Sequence, residues 1–138
     1  MSSKEVTEKI LSYVEEHLDS ALSLEKTAGA LNYSKFYIAR VFRENTGIAL
    51  YQYIRGRRLD EAAKELAEGT KPVIEIAFEA GYGSHQAFIQ AFHKEYGCTP
   101  QEYRKNGIFI PKQDRIVLQQ NSLFIMRHNN LAGGEMAA

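Results

Sequence analysis

One stretch of pattern occurs twice in this chain of 138 residues, and it limits the fold more than any other feature. Leu24, Ala28 and Tyr33 recur 49 residues later as Val73, Ala77 and Tyr82. After an extra Gly83 the offset becomes 50, and Ser34, Ile38, Phe42, Gly47 and Tyr53 return as Ser84, Phe88, Phe92, Gly97 and Tyr103. Two unrelated amphipathic helices would share apolar positions only. Here the serines that cap, the glycines that terminate and the tyrosines that close the unit align as well, so what is repeated is a supersecondary unit.

The periodicity around the repeat predicts helices throughout. Val6, Ile10, Leu11, Val14 and Leu18 form one face of a first helix over about 4–18. Ser23 caps a short second helix to Leu31, and Asn32-Tyr33 breaks it. Ser34 restarts the pattern for a helix over about 35–45, with Ile38, Val41 and Phe42 inward and Gly47 as its stop. A longer helix over about 50–68 carries Tyr53, Ile54, Leu59, Ala62, Ala63 and Leu66 as its apolar members. Pro72 suits the first turn of a fifth helix reaching Ala80. Ser84 caps a sixth over 85–96 with Phe88, Ala91 and Phe92 inward, and Pro100 opens a last short one. The fold class is all-α.

A short helix, a tight turn and a second helix crossing it form the arrangement that lets the second helix enter a DNA major groove. One such unit is also an ordinary helical hairpin; a tandem favours DNA. With the inward triplets fixed, Lys35, Phe36, Ala39, Arg40 and Arg43 face outward from one second helix, and His85, Gln86, Ile89, Gln90 and His93 from the other. Arg can take both acceptors of guanine, Gln can pair twice with adenine, and apolar groups can meet a thymine methyl. Phe36 as a satellite of the core is the alternative. Arg43, Arg55, Arg57, Arg58, His93 and Lys105 are phosphate candidates, joined by the helix starts at Ser34 and Ser84. Some of these arginines have Asp60 and Glu61 as alternative partners. At ~1.5 Å per residue the linking helix is ~28 Å long, which suits two reading helices about one DNA turn, ~34 Å, apart.

Zero net charge is weak evidence against DNA, because the charge is banded: −3 over residues 1–33, +5 over 34–58, −4 over 59–80 and +1 over 81–107. A solvated helix face is the alternative origin of the basic band. A single cysteine, Cys98, excludes a disulfide framework and a cysteine-built zinc finger. Apolar runs of three or four residues are far below the ~20 of a membrane span, and Met1 to Glu5 holds no apolar signal core. A cytoplasmic, nucleoid-associated protein is expected. No phosphate-binding loop, metal-ligand spacing or nucleophile set is visible, with His17, His85, His93 and His128 scattered, so neither an enzyme nor a cofactor is expected.

These residues resemble the AraC/XylS type of bacterial transcription regulator over about 5–105. The most specific stretch comprises Ile76-Ala77, Gly81-Tyr82, Ser84, Phe88, Phe92, Gly97, Thr99-Pro100 and Tyr103-Arg104. Ser23 to Lys26 followed by Tyr33-Ser34-Lys35 is similar to the stand-alone stress and multidrug-resistance activators. The resemblance implies a seven-helix domain, residues 1–107, whose third and sixth helices enter the major groove. By position it assigns base reading to Phe36, Ala39 and Arg40 in a unit over about 5–55, and to His85, Gln86, Ile89 and Gln90 in a unit over about 70–105. Many members are basic where this chain has Gln90 and His93, which points either to weaker binding by the second unit or to its reading a different base. It also implies an activator binding double-stranded DNA. The acidic first helix, with Glu8, Glu15, Glu16 and Asp19, is itself a candidate surface for a second partner such as RNA polymerase. Gly56, which costs about 1 kcal/mol against Ala inside a helix, is read as a hinge.

Beyond Asn106-Gly107 the β-prone runs Ile108 to Pro111, Arg115 to Leu118 and Leu123 to Met126 read as short strands. Residues 108–138 are either the start of a ligand-sensing domain or a tail packed on the helices, with a disordered end at Gly133-Gly134. A small-molecule effector is expected only with a sensor domain. A helical protein-interaction module is the reading that competes with DNA binding.

Overall fold

The computed structural model describes residues 2–18 and 22–118, together with the backbone of 125–126. Seven helices lie among them: α1 (Ser3–Glu16), α2 (Leu24–Leu31), α3 (Lys35–Thr46), α4 (Leu50–Glu68), α5 (Val73–Glu79), α6 (His85–Tyr96) and α7 (Pro100–Asn106). Two compact units result. One holds the chain up to Arg55 and the segment from Arg115, and the other runs from Gly56 to Asp114, so the chain divides within α4.

The repeat holds at the level of single hydrogen bonds. Ser34 Oγ accepts from Tyr37 N at 3.1 Å, and Ser84 Oγ accepts from Ala87 N at 3.1 Å. Both second helices end on a left-handed glycine, Gly47 at φ 84° and Gly97 at φ 77°, whose N–H reaches back to Arg43 and His93 carbonyls at 2.8 Å. A side chain at either position would strain the backbone, so the glycine stop is conformational. Pro72 sits one residue earlier than expected, at the N-cap of α5 and without a side-chain cap, so its missing N–H costs the helix nothing.

Each unit closes its own core. In the first, Val6, Ile10 and Val14 of α1 meet Ile38, Val41 and Phe42 of α3, all nearly inaccessible to solvent. Asn45 Nδ2 donates to Thr7 Oγ1 at 2.7 Å, tying the end of α3 to α1. In the second unit Phe88 and Phe92 are fully buried while Ala91 is half-buried, so the inward triplet of α6 has two strong members. Phe92 stacks on Tyr96 at 4.5 Å and meets the edge of Tyr103 at 5.4 Å. The equivalent pair in the first unit, Phe42 and Tyr53, lies at 5.6 Å.

The closing tyrosines also hold the tail. Tyr103 Oη accepts Ile110 N at 2.9 Å within the second unit, and Tyr53 Oη accepts Ile116 N at 3.3 Å within the first. Ile116 and Leu118 are buried members of the first core, and Phe109 packs against the second. Of the expected strands, β1 (Val117–Leu118) pairs antiparallel with β2 (Ile125–Met126), Val117 opposite Met126. Residues 108–111 form no strand; Ile110 N donates to Tyr103 Oη, and Pro111 has no N–H to give a ladder. The Gly133-Gly134 end lies outside the described residues.

Buried Asp60 on α4 is the polar centre of the second unit. Its carboxylate accepts Lys112 N at 2.9 Å, Gln113 N at 2.6 Å and the hydroxyl of Tyr96. Burial pushes this carboxyl above its ordinary range, partly offset by the three donors and by Arg57. Burial, together with the charge of Asp60, also raises the Tyr96 phenol, which therefore stays a donor. Gly56, expected as a hinge, is where the tail crosses α4. A β-carbon there would stand 2.7 Å from Gln113 Cβ and 2.8 Å from its Cγ.

Candidate nucleic-acid interface

Burial of Ile38, Val41 and Phe42 fixes the rotation of α3, and the expected readers follow from that phase. Lys35, Phe36, Arg40 and Arg43 are exposed and Ala39 is half-buried. Phe36 is 77% exposed, which rules out the satellite-core alternative and leaves a large ring in water. Two of the cations have local partners. Lys35 Nζ lies 3.4 Å from Glu25 on α2 and 5.5 Å from the Phe36 ring. Arg40 lies over the Tyr37 ring at 5.4 Å, with Glu44 at 3.9 Å. Ion pairs this exposed are weak, so a phosphate or a guanine edge can displace the carboxylates. Glu25 and Tyr37 did not figure among the expected site residues. The signal for Tyr37 was its spacing of three from Arg40; nothing local marked Glu25, ten residues from Lys35.

On α6 the same phase exposes His85, Gln86, Gln90 and His93, with Ile89 half-buried. The amides of this face offer paired donors and acceptors, and neither Lys nor Arg stands among the outward positions of its first two turns. At the start of each second helix, Ser34 and Ser84 are exposed. Their caps use the oxygen as acceptor, which leaves each hydroxyl hydrogen to donate outward.

The phosphate candidates of the linking helix separate. Arg55 and Lys105 are exposed. Arg58 is half-buried with its guanidinium over the turn between α5 and α6, where a β-carbon on Gly81 would come within 2.5 Å of Nη1. Arg57 corrects the expectation. It is 4% exposed, its Nη2 pairs with Glu61 at 3.0 Å, and its Nη1 donates to the Gln113 carbonyl at 3.4 Å. The alternative of pairing with Glu61 is the one realised, because α4 turns this side chain under the tail. Arg104 is likewise structural, donating to the Leu66 carbonyl in the last turn of α4 at 3.1 Å and to the Lys71 carbonyl beyond that helix at 2.7 Å.

The first unit thus gathers Ser34, Lys35, Phe36, Ala39, Arg40 and Arg43 on one helix face, with Arg55 in the same unit. The second gathers Ser84, His85, Gln86, Ile89, Gln90 and His93, and includes Arg58 and Lys105. Among the described residues no group of His, Cys, Asp and Glu could hold a metal ion, and no helix is long and apolar enough to cross a membrane.

A family model described as a helix-turn-helix domain matches residues 27–106. Regulatory protein SoxS of Escherichia coli K12 is 38% identical over 104 residues, covering 75% of this chain and 97% of that protein. The chain belongs to the AraC/XylS family. It is a DNA-binding transcriptional regulator, of a family of transcription factors and not of enzymes. Solved family members agree in fold. The C-terminal domain of AraT, a response regulator from Geobacillus stearothermophilus, is 31% identical with a TM-score of 0.69, covering 73% of this chain and 84% of that one. The DNA-binding domain of AdpA, solved in complex with a target DNA, is 27% identical with a TM-score of 0.67, covering 72% and 90%. The family expectation of seven helices in two helix-turn-helix units holds.

Proposed function

We propose that this protein is an activator that reads two successive major-groove segments of duplex DNA, α3 in one and α6 in the other. The observation that carries the reading is the repeated cap, buried pair and glycine stop, which present two differently equipped outward faces. Lys35, Phe36, Ala39 and Arg40 read bases from the first unit, and His85, Gln86, Ile89 and Gln90 from the second. Ser34, Arg43, Arg55, Arg58, Ser84, His93 and Lys105 meet phosphates; Arg57 is left out because its guanidinium is engaged inside the fold. Residues 108–118 complete the DNA-binding domain rather than begin a sensor, a reading supported by Ile116 and Leu118 in the core. RNA polymerase is the second partner, met in the cytoplasm on the nucleoid. Exposed Glu8 and Glu16 on α1 support that contact; Glu15 is engaged 3.5 Å from Arg115, and Asp19 lies outside the described residues.

The test is selection of bound sequences from a random duplex pool, repeated with Arg40→Ala and Gln86→Ala proteins that keep their circular dichroism. Two boxes about one turn apart, ~34 Å, each blurred by a different substitution, are expected. A single box blurred by one substitution alone would overturn reading by two helices.

A further inference from the structure

We propose that the grip of the second unit on DNA is set by pH, His85 and His93 taking up protons as α6 meets the duplex. The inference rests on the reading of α6 as a groove helix and names what regulates it.

The repeat itself carries the observation. At an offset of 50 residues Lys35 and Arg43 of α3 return as His85 and His93, and Arg40 returns as Gln90. Burial follows the same order along 84–93 as along 34–43, with half-buried Ala91 in place of buried Val41 as the one difference. The two helices therefore turn equivalent faces outward. Each fixed cation of the first face is answered in the second by an exposed imidazole or a neutral amide. Lys94, in the last turn, stands where the first unit has Glu44 and is the one lysine or arginine of α6. With exposed Lys105 and half-buried Arg58 it belongs to residue types that keep their charge near neutral pH, so the device grades binding rather than abolishing it.

Histidine differs in that its charge changes between pH 5 and 8. A phosphate within ~4–6 Å favours the imidazolium, which donates from both ring nitrogens where the neutral ring donates from one. The DNA-bound state then holds more protons than the free protein, so affinity is greatest at low pH and is lost as pH rises. Eight residues at ~1.5 Å each put the two histidines ~12 Å apart along α6. That exceeds the ~8–10 Å screening length of physiological salt, and each takes up its proton independently.

Charges on the elements packed against α6 are mostly engaged within the fold. On α5, Glu79 pairs with Lys71 at 2.8 Å, while Glu75 is exposed. On α4, Asp60 accepts the Tyr96 hydroxyl and the tail amides, and the Arg58 guanidinium lies over the turn before Ser84. On α7, Arg104 donates to backbone carbonyls and Glu102 accepts Thr99 N at 2.8 Å. Glu102 is the acid whose field reaches His93.

The test measures the affinity of the full chain, by fluorescence anisotropy at fixed ionic strength, for the duplex recovered by the selection above. Between pH 6 and pH 8 binding should weaken about tenfold, ~1.4 kcal/mol, and by less when the α6 box is scrambled. Calorimetry in two buffers of different ionisation enthalpy should count about one proton taken up on binding near pH 7. His85→Gln combined with His93→Gln should flatten the profile at its pH 8 level, with circular dichroism unchanged. His93→Arg should raise affinity at pH 8 several-fold, and His17→Gln on α1 should keep the whole pH dependence. Should the double variant misfold, the proton count and His93→Arg decide. Binding indifferent to pH, no proton uptake, or a pH dependence that survives the double substitution and so belongs to another group such as Asp60 would overturn the proposal and leave the two boxes standing. A selected site with a single box would overturn the groove reading, and this proposal with it.

Discussion

Replacing Gly56 by alanine sets two effects of similar size against each other, and the structure says which prevails. Inside a helix, alanine is favoured over glycine by ~1 kcal/mol, because glycine loses more backbone freedom on folding. Against this, the new β-carbon would stand 2.7 Å from Gln113 Cβ. That atom cannot swing away cheaply, since Gln113 N is held by Asp60 at 2.6 Å and its carbonyl accepts from Arg57 at 3.4 Å. Overpacking of this kind costs ~1–3 kcal/mol. The expected result is a net loss of up to ~2 kcal/mol in the otherwise unchanged chain.

The sign is the test. Gln113→Gly removes both clashing atoms and keeps the amide that Asp60 holds. In that background Gly56→Ala should stabilise by ~0.5–1 kcal/mol, the bare propensity gain. Urea denaturation of the four proteins, read by circular dichroism with equal m-values, closes the cycle. Amide exchange at Lys112 and Gln113 should accelerate in Gly56→Ala alone. If alanine stabilises equally in both backgrounds, the tail does not cross α4 at Gly56, and the hinge regains its place as the reason for this glycine.

Asp60 should leave a signature in pH. Its folded value is raised, so the folded state binds the proton more tightly. Its contribution is therefore fully present below the unfolded value of ~3.9 and lost as pH rises through the folded one. Stability of the natural chain minus that of Asp60→Asn should fall from pH 4 to 7 in denaturation midpoints; a rise would sink the assignment. Phe36→Ala should change stability by less than ~0.5 kcal/mol yet weaken specific DNA binding several-fold in a gel-shift titration. Phe42→Ala, at a fully buried ring, should cost ~3–5 kcal/mol. Arg55→Ala should lower the slope of log affinity against log salt by about 1, whereas Arg57→Ala should leave the slope alone and cost ~1–3 kcal/mol of stability. A slope reduced by Arg57→Ala would return that residue to the interface.

What the sequence disclosed and what it hid follow one physical division. Caps, glycine stops and the inward phase of α3 and α6 are local: a serine meets an amide three residues on, and a helical period decides which face is buried. Hence Arg40 and Gln86 were legible as surface from the sequence, whereas Phe36 was settled only by its 77% exposure. The tail's seating is non-local. Ile110 and Ile116 find hydroxyls on Tyr103 and Tyr53, seven and 63 residues away, and Asp60 collects donors from more than 50 residues on. No period encodes such pairs. A trace of them was nevertheless present. Arg57 and Asp60 follow Tyr53 by four and seven positions, on the buried stripe of α4, where a charge is costly unless partners come from elsewhere. Charges on an apolar phase need partners: Glu61 supplies one to Arg57, and Tyr96 and the tail after Gly107 supply the others. The same reasoning separates the arginines: Arg55 lies off that stripe and stays available to DNA, while Arg57 lies on it and belongs to the fold.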